Sequence, residues 1–171
     1  LSREHLTEKR AIEVGNIFNL GTRFSEAFDL GYLDQKGERK LVIMGSYGIG
    51  PGRLIGTIVE VLSDSRGIVW PKSVAPFTLH LLDLSKDGEP AEKAAKKLYE
   101  RLQKEGISVL YDERNGVSAG EKFADADLIG IPYRAVVSEK SLSAGGIEVK
   151  ERTEGEARIM NEDALIKFFK K

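Results

Sequence analysis

The sequence predicts an α/β (α+β) chain in two parts. A first part of strands and short helices is followed by a compact βαβαβ…α domain, with a mixed sheet between helices. Three observations lead there. Apolar residues alternate early in the chain, then recur at helical spacing between short apolar runs after about residue 70. Turn and cap residues punctuate those runs at regular intervals. The 171 residues are 41% hydrophobic and 31% charged, which supports a packed core and argues against a disordered or fibrous chain.

The elements follow in order. Leu1 to Arg10 is polar and reads as a solvated lead-in. Ile12, Val14, Ile17, Phe18 and Leu20, with polar residues between them, read as one or two strands. A short helix is expected around Ser25 to Phe28, and Asp34-Gln35-Lys36-Gly37 as a turn. Leu41 to Met44 is a short apolar strand running into the glycine-rich string Gly45-Ser46-Tyr47-Gly48-Ile49-Gly50-Pro51-Gly52. Arg53 to Leu62 is apolar nearly all round, so a buried helix is expected, with Pro51 in its first turn. Ser63 to Gly67 is turn-rich. With Pro71 and Pro76 it marks the domain boundary, placed between residues 1–70 and 71–171.

Beyond it, Phe77 to Leu82 is a strand. Pro90 to Glu105 is an amphipathic helix with Ala91, Ala94, Ala95, Leu98 and Leu102 on one face, ended by Gly106. Ile107 to Tyr111 is a strand. Ser118-Ala119-Gly120-Glu121 is a capping-box pattern opening a helix that stops at Gly130 and Pro132. Tyr133 to Val137, Ile147 to Lys150 and Ala157 to Met160 are strands, with a turn over Glu151 to Gly155. Asn161 caps a final helix, acidic in its first turn, with Lys167, Lys170 and Lys171 in its last. Leu165, Phe168 and Phe169 give that helix a face to bury.

Composition excludes several chemistries. The chain has no cysteine, so disulfides, thiolate zinc sites and cysteine nucleophiles are out. Its two histidines, His5 and His80, lie far apart, which argues against a histidine-based metal site. No apolar run approaches the ~20 residues of a membrane span, and the first residues show no signal-peptide core. The net charge is −1, so bulk charge gives no hint of nucleic-acid binding.

The glycine-rich string carries the chemistry of the first part. It follows a strand and precedes a helix, but its spacing fits neither the dinucleotide fingerprint nor the Walker pattern. A plain tight turn is the bland alternative. Glycines let a ligand approach the backbone closely, and a helix start offers free amides and a positive dipole end. Arg53 adds a cation at that end, where the dipole disfavours one. An anionic ligand would remove the conflict.

The string Met44-Gly45-Ser46-Tyr47-Gly48-Ile49-Gly50-Pro51-Gly52-Arg53 resembles motif 3 of class II aminoacyl-tRNA synthetases, in the bacterial-type prolyl form. Three further segments, in the right order, resemble the same family. They are Glu13 to Ala27 beside the active site, Gly67 to Phe77 at the entry to the anticodon-binding domain, and Asp125 to Arg134 within it. The resemblance implies the end of an antiparallel-sheet catalytic core over 1–70, followed by a mixed-sheet anticodon-binding domain over 71–171. Motifs 1 and 2 would lie ahead of Leu1, so the chain alone is expected to be inactive. The family's reaction joins proline and ATP, with substrate-associated Mg2+, to give prolyl-adenylate, then transfers the prolyl group to tRNA(Pro). A homodimer in the cytoplasm, with no membrane partner, is the family's usual setting.

The resemblance also implies roles. Arg53 is the catalytic arginine against adenine and the terminal phosphate. Glu13 and Asn16 join it at ATP. Phe18, Ser46 and Gly48 line the proline pocket. No protein-held metal is implied. Asn16 and Ser46 depart from the histidine and cysteine common at these places. Proline anticodons share two guanines, whose O6 and N7 accept from Arg or Lys and whose N–H groups a carboxylate can accept. Arg114 and Lys122, then Glu113 and Glu121, are the expected anticodon contacts. Two alternatives remain open from the residues: an RNA-binding paralogue without catalysis, and another synthetase of the same subclass, threonyl first among them.

Overall fold

The computed structural model describes residues 5–86 and 90–170. The expected lead-in over Leu1 to Arg10 falls partly outside them; residues 5–10 are exposed. Lys171, expected in the last helical turn, lies outside them too. Contacts divide the chain into two compact units, Leu1–Thr57 and Ile58–Lys171.

The first unit is built of ribbons. β1 (Gly15–Gly21) pairs antiparallel with β4 (Met44–Ile49), with a bulge between Asn19 and Gly21. β2 (Gly31–Leu33) pairs antiparallel with β3 (Arg39–Leu41), across the expected Asp34–Gly37 turn. The short helix α1 (Arg23–Ala27) buries Ser25, whose hydroxyl donates to the carbonyls of Val42 at 2.7 Å and Thr22 at 2.9 Å.

Two expectations are corrected here. Gly45 to Ile49, read as a loop, is strand: each residue faces one of β1, and that ladder outweighs the weak strand propensity of glycine. Helix α2 (Pro51–Leu62), read as buried, buries none of its residues among those described; Ile55 is 54% and Val61 66% exposed. Two two-stranded ribbons and a five-residue helix offer the first unit too little apolar surface to cover its part of this helix, residues 51–57.

The second unit holds a five-stranded sheet in the order β6-β5-β7-β8-β9. β5 (Leu79–Asp83), β6 (Val109–Asp112) and β7 (Tyr133–Val137) run parallel. β8 (Ile147–Glu151) and β9 (Arg158–Met160) close the sheet antiparallel. α3 (Pro90–Lys104) crosses from β5 to β6 and packs Ala91, Ala95, Leu98 and Leu102 against one sheet face. α6 (Glu162–Phe169) adds Leu165 and Ile166 to that core; Asn161 caps it by accepting from the Ala164 amide at 2.8 Å. α4 (Ala119–Ile129) crosses from β6 to β7 over the opposite face, where Ala126 meets Leu82 and Val136. The Ser118 hydroxyl accepts from the Glu121 amide at its start, and Gly130 in the left-handed region ends it. The five-residue α5 (Glu139–Ser143) was not expected; Ser138 and Ser141 cap it reciprocally.

The stretch before β5 is fixed to α4. The amides of Ile68 and Trp70 donate to the carbonyls of Leu128 (3.1 Å) and Gly130 (3.2 Å), and the Trp70 indole N–H to that of Ile129 (3.0 Å). Asp64 forms a bidentate pair with the buried Arg152 at 2.8 and 2.9 Å. That guanidinium holds the Asp64 carboxyl well below the usual carboxylate range.

Candidate functional site

In the first unit the register of the ribbon assembles the expected residues. Asn16 faces Gly48 and Phe18 faces Ser46. Directly opposed residues share a face, and residues two apart along a strand share it too, so these four form one patch. Ile17, Tyr47 and Ile49 lie on the other face, each more than 70% exposed. Gly48 has no positive φ, and a Cβ there would meet nothing within 4 Å, so neither backbone strain nor packing requires glycine. The open space above it is room for a ligand to touch the backbone.

Glu13 and Arg53 meet at the end of this patch. The Arg53 Nη1 donates to the Glu13 carbonyl at 2.9 Å and lies 3.6 Å from its carboxylate. The Gly50 amide donates to the Val14 carbonyl at 3.2 Å, which ties the start of α2 to the lead-in of β1. Both side chains are more than half exposed, so solvent weakens the pair and leaves the guanidinium reachable. The structure thus sets Asn16, Phe18, Ser46 and Gly48 on one ribbon face and pairs Glu13 with Arg53 next to the Gly15–Ile49 end of that ribbon. Among the described residues no group of three or more His, Asp or Glu is arranged to hold a metal ion.

The second unit gathers a polar cluster at the C-terminal ends of β5 and β6. Asp112, buried, accepts from the Arg114 amide at 3.2 Å, from its Nε at 2.9 Å and from its Nη2 at 2.8 Å. The same Nη2 donates to Asp125 at 2.7 Å. Its hydrogen bonds to Asp112 and then Asp125 push the Arg114 guanidinium further from deprotonation, and Arg114 holds Asp112 below its ordinary value. Glu113 and Glu121 are exposed.

Lys122, expected at the surface as an anticodon contact, is only 3% exposed. Its Nζ donates to the Asp83 carbonyl at 2.6 Å and lies 3.8 Å from the Asp112 carboxylate. The side chain turns inward because a buried carboxylate and a strand-end carbonyl need a donor there. Arg114 is also spoken for along one edge, its Nε and Nη2 engaged by carboxylates. Sequence reasoning missed Asp112 and Asp125 as the groups that hold Arg114. Their nearness in sequence to Arg114 was a signal; the burial of Asp112 was not.

His80 was also missed. It points from the middle of β5 toward α4, is 3% exposed, and its Nδ1 has no hydrogen-bond partner. Burial lowers its pKa to about 4, so the ring is neutral at pH 7.

Comparison with known proteins bears on both units. An anticodon binding domain family matches residues 78–171, and the tRNA synthetase class II core domain (G, H, P, S and T) matches residues 4–62. The proline–tRNA ligase of Bacillus pumilus is 47% identical over 161 residues, covering 94% of this chain and 28% of that protein. That of Bacillus subtilis is 46% identical over 160 residues, with the same two coverages. That of Endomicrobium trichonymphae is 40% identical over 176 residues, covering 99% of this chain and 31% of that protein. The chain therefore spans less than a third of the length of these relatives. No helix among the described residues is long and apolar enough to cross a membrane. With more than half of its length matched by one model and most of the remainder by the other, the chain belongs to the anticodon-binding-domain family of class II tRNA synthetases, carrying a stretch of their catalytic core ahead of that domain.

Proposed function

We propose that this chain supplies motif 3 and the anticodon-binding domain of a proline–tRNA ligase, with residues 1–70 serving the catalytic core and 71–171 the RNA. The observation that carries the reading is the ribbon patch with Arg53 at its end, in a chain whose relatives are named proline–tRNA ligases.

The attacking group in amino-acid activation is the amino acid's own carboxylate, so no side-chain base is needed. The work is positioning and charge neutralisation. Arg53 stands at a helix start and meets the triphosphate and purine of ATP. Asn16 and Glu13 flank it. Phe18 offers a flat apolar ring to a pyrrolidine, and Ser46 and Gly48 bound the same pocket. The chain's own donors at this place include one carboxylate, Glu13, so a magnesium ion would be held chiefly through the substrate's phosphates. In the second unit Arg114, Glu113 and Glu121 face the anticodon, and Lys122 is the buried prop beneath Asp112.

The test is proline-dependent exchange of pyrophosphate into ATP by the full-length enzyme that contains this chain. Arg53→Ala lowers exchange by about 100-fold or more, while the 171-residue chain alone shows none. Exchange driven by threonine and not by proline, or by no amino acid, overturns the assignment.

A further inference from the structure

The loop from β6 to α4 turns at Asn115-Gly116, and both residues are exposed. The pair is a turn signal, since asparagine tolerates the left-handed region and glycine adopts it at no steric cost. Gly116 sits there with φ +76°, and a Cβ on it would meet nothing within 4 Å. Nothing packs over the turn at that point, and water reaches it freely.

The chain has four asparagines, and three of them are held. The side-chain oxygen of Asn16 accepts from the Ile17 amide at 2.8 Å, that of Asn19 from the Gly21 amide at 3.1 Å, and that of Asn161 from the Ala164 amide at 2.8 Å. Each is followed by a residue with a large side chain: Ile17, Leu20 and Glu162. Asn115 differs on both counts. Among the described residues its side chain makes no hydrogen bond, and neither does the Gly116 amide. Asparagine is a thermolabile residue. Its side-chain carbon and the next main-chain nitrogen can close a five-membered ring. A hydrogen bond on either partner, or a crowded following residue, opposes that closure. This loop has neither obstacle.

We propose that Asn115 is a site of spontaneous covalent modification, in which the Gly116 nitrogen closes on the Asn115 side chain and the loop exchanges a neutral amide for a carboxylate. The Gly116 nitrogen forms a bond to Asn115 Cγ, and the bond from Cγ to Nδ2 breaks. The Gly116 proton passes through water to the leaving nitrogen, which departs as ammonia. One water then opens the ring. Opening at Cγ restores the ordinary chain with an acidic side chain. Opening at the main-chain carbonyl routes the chain through Cγ and leaves that carbonyl carbon as the free carboxylate. Nothing is oxidised or reduced, and water is the sole co-reactant. Either product sets a new negative charge beside Arg114, whose guanidinium already binds Asp112 and Asp125. The second product also adds one carbon to the main chain between β6 and α4.

The experiment holds the full-length enzyme that contains this chain in warm neutral buffer, folded, for a series of times. Each sample is digested in heavy-oxygen water, which marks any change made during handling, and its peptides are mapped by mass spectrometry. The peptide holding Asn115 gains the mass of an amide-to-acid exchange and splits into two products on chromatography. The peptides holding Asn16, Asn19 and Asn161 stay unchanged in the same samples. Gly116→Ala places a side chain against the ring and abolishes the gain. Asn115→Gln, whose longer side chain would have to close a slower six-membered ring, leaves the backbone alone and also shows no gain. An unchanged Asn115 peptide in the folded enzyme overturns the proposal, as does a change at Asn16, Asn19 or Asn161 that comes first. An undiminished gain in Gly116→Ala overturns it too, because the main-chain nitrogen is then not the attacking group.

Discussion

Gly130→Ala tests how the stretch before β5 is held to α4. Gly130 has φ +75°, and a Cβ there would lie 1.9 Å from the Ile68 carbonyl oxygen. Two costs follow. A non-glycine residue in the left-handed region costs about 1 kcal/mol. The clash also drives residues 68–70 off the helix end and breaks the three hydrogen bonds from Ile68 and Trp70, each worth about 1 kcal/mol net. The expected loss is about 4 kcal/mol. Gly106→Ala is the matched control: its φ is +78°, but a Cβ there meets nothing within 4 Å, so only the backbone cost of about 1 kcal/mol remains. Urea unfolding followed by the fluorescence of Trp70, the sole tryptophan, reads both variants at the place concerned. If Gly130→Ala falls within 1 kcal/mol of Gly106→Ala, the close approach carries no energy and the argument fails.

Other expectations follow from the second unit. Between the ordinary His80 value of 6.5 and its folded value of about 4, the unfolded chain takes up the proton first. Stability is therefore complete above pH 6.5 and falls by about 3 kcal/mol toward pH 4, while Asp112, held below its ordinary 3.8, loses its share only at lower pH. Urea unfolding across that range shows the slope in the wild type and its loss in His80→Gln; parallel curves refute it. Lys122→Ala removes a buried cation beside Asp112 and lowers stability by about 3 kcal/mol in the same assay. A loss of RNA affinity at unchanged stability would instead return Lys122 to the base contacts. Arg114→Ala weakens tRNA binding about tenfold and leaves proline activation by the full-length enzyme unchanged; equal loss of both activities rejects its placement at the anticodon.

The second unit was the more legible in sequence because its signals are local. Ala91, Ala95, Leu98 and Leu102 repeat at helical spacing, and Ser118, Gly130 and Asn161 mark helix ends by chemistry that acts within one turn. α5 escaped because its box uses Ser141 where the expected pattern has Glu or Gln. In the first unit, glycine content hid β4, since its strand character comes from residues some 30 positions earlier in the chain. The four ribbon residues can be picked out one at a time in the sequence, but the pairing of Asn16 with Gly48 and Phe18 with Ser46 is a fact of register. Lys122 looked like an ordinary surface lysine in a first helical turn. Only the buried Asp112 and the Asp83 carbonyl explain its inward turn.

The long-range hydrogen-bond partners of Asp64, Ile68 and Trp70 all come late in translation, at Leu128 to Gly130 and at Arg152. A nascent chain that has emerged only as far as β6 has neither the helix end nor the arginine that fasten this stretch. The bond at Arg152, 88 residues downstream of Asp64, therefore closes this stretch only after β8 has been made.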